Sequence, residues 1–170
     1  MTYLIPLRVL CGQLPSPALL SRFPALDEIY SPFVQSIRTG NLKDYDASLT
    51  AQEARLADLG VLLTVEKMRD VCLRSLFRKA YVVSVLECSH RLILGCRWLA
   101  SERSTRMPIS TFHAALQLSG LDVPVEEAEC LVANMIYKGY MRGYISHERQ
   151  MVVLSGQQAF PAERKLQGAT

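Results

Sequence analysis

The stretch "NMIYKGYMRGYISHERQMVVLS", Asn134 to Ser155, decides the fold. Its beginning continues a helix: Ala128, Leu131, Val132, Met135 and Ile136 recur at three- and four-residue spacing and so define a buried face. Gly139 stops that helix, because glycine enters the left-handed conformation that ends helices without a steric penalty. Beyond it, apolar and polar residues alternate around a short charged turn. Gly143, Ser146 and His147 stand near the bends, and Val152, Val153 and Leu154 belong to the second strand. A helix running straight into a hairpin suits two tasks, reading DNA and docking another protein, and the rest of the chain must choose between them.

Working outward, "RMPI" (Arg106 to Ile109) is extended, and a helix opened by Ser110 and closed near Gly120 follows it. The next helix spans about Val125 to Lys138. Strand, helix, helix and hairpin, placed after a long helix, make the order of a winged helix, an elaborated helix-turn-helix.

The preceding long helix runs from Val61 to about Leu86 without Gly or Pro, with Val65, Met68, Cys72, Leu76, Ala80 and Val83 on its apolar side. Lys67, Arg74 and Arg78 fall within about 40° of one another on its helical wheel, outside that side. This basic stripe is either a solvated helix face or a track for nucleic-acid phosphate.

Earlier still, the first sixty residues carry short helices separated by "GQLPSP", "FP", "SP" and "TGN". In "SPFVQSIRTGNLKDYDASLTAQEARLADLG", Pro32 suits a first helical position, Gly40 a C-terminal cap, Asn41 the next N-cap and Gly60 the following stop. Phe33, Val34 and Ile37 would face Leu42, Tyr45 and Leu49 across this antiparallel pair. A pair of this kind cannot bury both its faces alone, so it belongs in a stacked helical array.

Composition limits the function classes. Hydrophobic residues make up 49% and charged residues 21% of the 170, enough apolar material for a sizeable core in one domain or two small subdomains. Every apolar run is interrupted by Arg, Lys or Glu before the length a membrane span needs, which predicts a soluble protein. Five cysteines form no Cys-x-x-Cys pair and no secretory signal precedes them, so reduced, mostly buried thiols in an intracellular protein are expected. The net charge is only +3, but residues 61–106 hold nine Lys/Arg against four Asp/Glu, and the flanking segments hold five against six each. An electrostatic partner is therefore sought in the middle of the chain.

The wing region adds Lys138, Arg142 and Arg149, interleaved with Tyr137, Tyr140 and Tyr144. Aromatics beside basic residues stack single-stranded bases, although tyrosine on a half-buried strand is also ordinary packing. Sequence-specific duplex reading is disfavoured. The helix that would enter the major groove begins with Glu126, Glu127 and Glu129, which suit the helix dipole but repel a polyanion. His90, His113 and His147 stand far apart, with no phosphate-binding glycine loop and no nucleophile elbow, so no catalysis or cofactor is expected. Cys88, His90 and Cys96 lack a fourth ligand at metal-binding spacing, and no metal is expected.

Three stretches carry a resemblance to a known family: "YLIPLRVLCGQLPS" (Tyr3 to Ser16), "SLFRKAYVV" (Ser75 to Val83) and "CLVANMIYKGYMRGYISHERQMVVLS" (Cys130 to Ser155), with a terminal "AFP" at Ala159 to Pro161. With helix pairs running into a winged helix, they resemble the PCI-domain family. The branch is that of signalosome subunit-twelve-like proteins and the PCI subunit of the nuclear transcription-and-export complex. The resemblance implies a mostly α fold with a small β hairpin, a helical-repeat (TPR-like) array followed by a winged-helix subdomain. Its expected bounds are 1–86 for the repeats, 87–105 for a connecting segment, 106–156 for the winged helix and 157–170 for a tail.

The same resemblance implies a non-catalytic nuclear scaffold that pairs with a second, larger PCI subunit. It also implies uptake of a small acidic disordered subunit of the Dss/Sem type and weak, sequence-tolerant contact with RNA or DNA in mRNA processing or export. A scaffold of signalosome or proteasome-lid type, working by protein assembly alone, is the alternative. Charge and spacing select Lys67, Arg74, Arg78, Lys138, Arg142 and Arg149 as phosphate-facing candidates, and Tyr140, Met141, Tyr144, Met151 and Val153 as pairing candidates. Relatives carry a longer helical array before the "YLIP" stretch and a shorter connection around Ser84 to Cys96. The chain thus resembles a C-terminal portion with additional residues in that connection, either a helix extension or translated non-coding sequence.

Overall fold

A computed structural model of the chain describes residues 2–93, 105–156 and 158–161, the side chains of 87–93 excepted. Seven helices and three strands occur among the described residues: α1 (Leu4–Leu10), α2 (Pro17–Ser21), α3 (Pro24–Thr39), α4 (Leu42–Asp58), α5 (Leu62–Ile93), β1 (Arg106–Pro108), α6 (Ile109–Leu118), α7 (Val125–Tyr137), β2 (Gly143–Ser146) and β3 (Met151–Leu154). They form two compact units, divided between Ser75 and Leu76. The division falls inside α5, earlier than the expected boundary after residue 86.

The first unit is built on the antiparallel pair α3–α4. Gly40, at φ 73°, ends α3, and the Asn41 side chain accepts the Asp44 N–H to open α4, so both punctuation signals act as expected. Pro32 does not open a helix. It lies inside α3, whose start is set by Pro24. A mid-helix proline removes one backbone hydrogen bond, but Ile29 and Tyr30 before it and Phe33, Val34 and Ile37 after it all reach the core. Packing of one continuous face outweighs the local defect.

Facing that stripe, Leu42 and Tyr45 are buried as expected, and Leu56 takes the place that spacing assigns to the half-buried Leu49. Phe33 and Tyr45 meet edge to face with ring centroids 5.2 Å apart, an arrangement that adds about 0.5–1.5 kcal/mol beyond area burial. The first part of α5 closes the unit with Val65, Met68 and Cys72. Tyr45 Oη donates to the Val65 carbonyl at 2.6 Å. Burial raises the Tyr45 phenol strongly, with the Cys72 and Asp46 charges adding to the rise, so the hydroxyl stays a donor. Arg69 grips Asp46 with two hydrogen bonds, 2.7 and 2.9 Å. That hydrogen bonding holds the guanidinium above its ordinary pKa, against the opposing effect of burial.

The second unit is a winged helix. Its sheet has the order β1-β3-β2, all antiparallel. Phe77 of α5 and Phe112 of α6 are both fully buried and meet edge to face at 5.0 Å. Ile109 and Leu116 of α6, Ala128, Val132 and Met135 of α7, and Met107, Val152 and Leu154 of the sheet complete this core. At about 100° per residue, Phe77 lies roughly opposite Met68 on α5. A single apolar stripe along α5 therefore does not include both residues. Leu76 and Ala80, placed on that stripe by spacing, are half-buried, and Val83 is exposed.

The helix α5 continues to Ile93, beyond the expected end near Leu86. Residues 94–104, where most of the connecting segment was expected, lie outside the described residues, as do the side chains of Cys88, His90 and Cys96. Of the cysteines described, Cys72 is buried but Cys11 and Cys130 are exposed. Among the described residues, Cys130 lies on the outward side of α7 and Cys11 just past the end of α1, so burial is seen for Cys72 alone of these three. No described helix is long and apolar enough to cross a membrane.

Candidate docking and nucleic-acid surfaces

The sheet register sorts the wing residues into two faces. Met107, Val152 and Ile145 align across the three strands, and Leu154 follows on the same side. Met107, Val152 and Leu154 are core residues. The opposite face carries the rows Arg106–Val153–Tyr144 and Pro108–Met151–Ser146. Tyr144 is 63% exposed, Arg106 and Pro108 are exposed, and Met151 and Val153 are half-buried. An exposed aromatic beside half-buried aliphatic residues makes this face the candidate for protein docking.

Two pairing candidates do not lie on that patch. Tyr140 and Met141, at 5% and 1% exposure, are core residues. The tight turn at Gly139, φ 76°, folds both inward, and their amides donate to the Met135 carbonyl at 2.9 and 3.2 Å. Alternation counted through the hairpin does not register that inward turn. Gly143, by contrast, is fixed by close approach: a Cβ there would overlap the Val153 carbonyl oxygen, so β2 and β3 pair at this spacing only with glycine.

The basic candidates separate as well. Lys67 and Arg74 belong to the first unit, with Lys67 exposed and Arg74 half-buried, and Arg78 is exposed in the second. Arg74 and Lys138 also take part in further interactions within the protein. Arg142 is exposed, but its guanidinium donates to Gln158 Oε1 at 3.1 Å and its amide to the Ala159 carbonyl at 2.9 Å. It therefore ties down the segment after β3, whose Phe160 ring lies 5.7 Å from Tyr81 of α5. Arg149 is exposed in the turn between β2 and β3.

The glutamates at the start of α7 are not equivalent. Glu126 and Glu127 are exposed, whereas Glu129 reaches the wing, where Oε1 takes a 2.7 Å hydrogen bond from His147 Nδ1 and Oε2 a 3.3 Å bond from Gln150. Hydrogen bonding to His147 lowers the Glu129 carboxyl below its ordinary pKa, and the same bond raises the imidazole of His147. Spacing alone could not find this contact, since its partners stand 18 residues apart. His113, a surface or capping residue by sequence, is half-buried, and its Nε2 lies 2.8 Å from the Val123 carbonyl, which fixes the α6–α7 turn.

Helices leading into a three-stranded winged helix are the architecture of a PCI-type assembly domain. The model of the PCI domain matches residues 42–155, and the chain belongs to the PCI-domain family, whose members assemble into protein complexes. It is 41% identical over 162 residues, 95% of its length, to the "Protein CSN12 homolog" of Schizosaccharomyces pombe, covering 34% of that protein. Identity is also 41% over 163 residues to the Gibberella zeae protein of the same name, with 95% and 35% of the two chains covered. With the Drosophila melanogaster "PCI domain-containing protein 2 homolog" it is 35% over 161 residues, 94% of this chain and 36% of the relative. The chain thus spans about a third of the length of these relatives.

Proposed function

We propose that this chain is a non-catalytic scaffold subunit of a nuclear mRNA-processing or export complex, which pairs with a second, larger PCI subunit and binds RNA or DNA weakly and without sequence preference. The observation that carries the reading is the outward sheet face of Tyr144, Met151 and Val153, set on a closed core and flanked by exposed Arg106 and Pro108. A small acidic disordered subunit of the Dss/Sem type is the second expected partner, its charge complementary to the basic middle of the chain.

Nucleic acid has a narrower set of candidates. Lys67, Arg74 and Arg78 remain the regularly spaced group, with Lys138 and Arg149 near the wing, while Arg142 serves the fold first. The start of α7, with Glu126 and Glu127 exposed, opposes the docking of a duplex along that helix.

Substituting Tyr144→Asp and Val153→Asp together tests the pairing face. Tagged full-length variant should lose a PCI partner in pull-downs while its circular dichroism matches wild type. Retention of that partner would move pairing off this face. Reversing Arg74 and Arg78 to Glu in the assembled complex should weaken RNA binding and flatten its salt dependence; unchanged binding would leave protein assembly alone as the function.

A further inference from the structure

The turn between β2 and β3 is joined to two helices at once. Gln150 is the one non-glycine among the described residues with a left-handed backbone, at φ 50°, a conformation of some energetic cost for a residue with a side chain. Four hydrogen bonds hold it there. Its carbonyl accepts the Ile109 N–H, the first of α6, at 3.0 Å, and its own amide donates to the His147 carbonyl at 3.0 Å. Its side-chain amide donates to Glu129 Oε2 of α7 at 3.3 Å and to the His147 carbonyl at 3.1 Å. Glu129 uses its other oxygen on His147, so one carboxylate collects both ends of the turn.

This turn borders the candidate pairing face. Met151, the next residue, is the rung shared by Ser146 on β2 and Pro108 on β1. Gln150 therefore links the Glu129 carboxylate to the Ile109 amide and, through the next residue, to the Met151 rung. We propose that Glu129, His147 and Gln150 form a protonation-controlled latch that sets the order of the wing at the Met151 edge of the pairing face. As a means of regulating assembly, the latch rests on the pairing reading given above.

The charged groups around the latch are few. Glu148, beside His147 in the turn, adds to the field that favours the imidazolium, and Arg149 follows it. From α7 come Glu129 itself and, one turn earlier, Glu126. Ile109 of α6 and Pro108 of β1 bring no charge. The raised His147 stabilises the latch fully below the ordinary imidazole value of 6.5, and that contribution disappears as pH rises through the raised value. The lowered Glu129 contributes fully above the ordinary 4.5 and ceases to do so as pH falls through the depressed value. The latch is therefore strongest between these two ordinary values and loosens as pH rises through the raised imidazole value.

The test uses the full chain, isotope-labelled, with His147 titrated by NMR between about pH 5 and pH 8 and amide-exchange protection factors read at Ile109, Gln150 and Met151. The expected result is a His147 titration above the ordinary value and a several-fold loss of protection at the three amides as it deprotonates. In Glu129→Gln, His147 should return to the ordinary value and protection should no longer follow pH, while Gln150→Ala should lower Ile109 protection at every pH. An ordinary His147 titration in wild type, or the same pH-dependent protection in Glu129→Gln, would overturn the latch. A pull-down at neutral pH reports separately on pairing: absence of a PCI partner there sinks the pairing reading without touching the exchange result.

Discussion

The two units fasten their last element by opposite means. In the first, α5 is held to α4 by a buried tyrosine hydroxyl and a doubly hydrogen-bonded Arg69–Asp46 pair. In the second, the wing is held to α7 by Glu129 and His147, the His147 side chain 81% exposed. The Tyr45 hydroxyl is buried, where an unpaired polar group is costly, and its raised pKa keeps it a donor across the ordinary pH range, while the Arg69–Asp46 pair is partly exposed. The exposed anchor competes with water and answers to one imidazole. On the latch proposal, the anchor that responds to pH is the one beside the candidate docking face.

The comparison can be broken most forcefully at the core on which the wing rests. Phe77→Ala removes the partner of Phe112 from a fully buried pair and should cost on the order of 3–5 kcal/mol in urea unfolding of the full chain. A loss below about 1 kcal/mol would mean that α5 does not share this core. Gly143→Ala should come next, at about 1–3 kcal/mol, because the added methyl must displace the β3 backbone. An unchanged midpoint would contradict the close approach of β2 and β3.

Smaller effects sharpen the contrast. Tyr45→Phe keeps the ring and removes only the hydrogen bond to Val65, a loss of about 1 kcal/mol that should be the same at mildly acidic and mildly alkaline pH. His147→Ala should leave global stability at alkaline pH unchanged and abolish the pH dependence of wing exchange. A pH-dependent effect at Tyr45, or a pH-independent one at His147, would remove the distinction between the two anchors.

Much of this fold is legible in the sequence because its signals are local. Gly40, Gly60, Gly120 and Gly139 punctuate helices through backbone conformations that few other residues adopt, Asn41 caps one through its side chain, and the short apolar run "MVVL" after a charged turn marks a strand. What escaped depends on contacts distant in sequence. Which α5 residues are buried in each unit depends on that unit's own partners, and Pro32 is tolerated because α3 is packed along one face both before and after it. Tyr140 and Met141 fold inward at a turn whose direction is tertiary. The wing as a region is legible, but which of its candidates face outward is not: Tyr144, Met151 and Val153 share the outer face only through the strand register, and Glu129, His147 and Gln150 join a helix and a loop that only the folded chain brings together.

The central claim is that this chain works by docking other proteins. A tagged pull-down of the wild-type chain from its own cell extract, with and without nuclease, tests it most directly. The account predicts that a large PCI-domain protein and a small acidic protein remain bound after digestion. Recovery of nucleic acid alone, lost on nuclease treatment, would contradict it and make the chain an independent nucleic-acid binder.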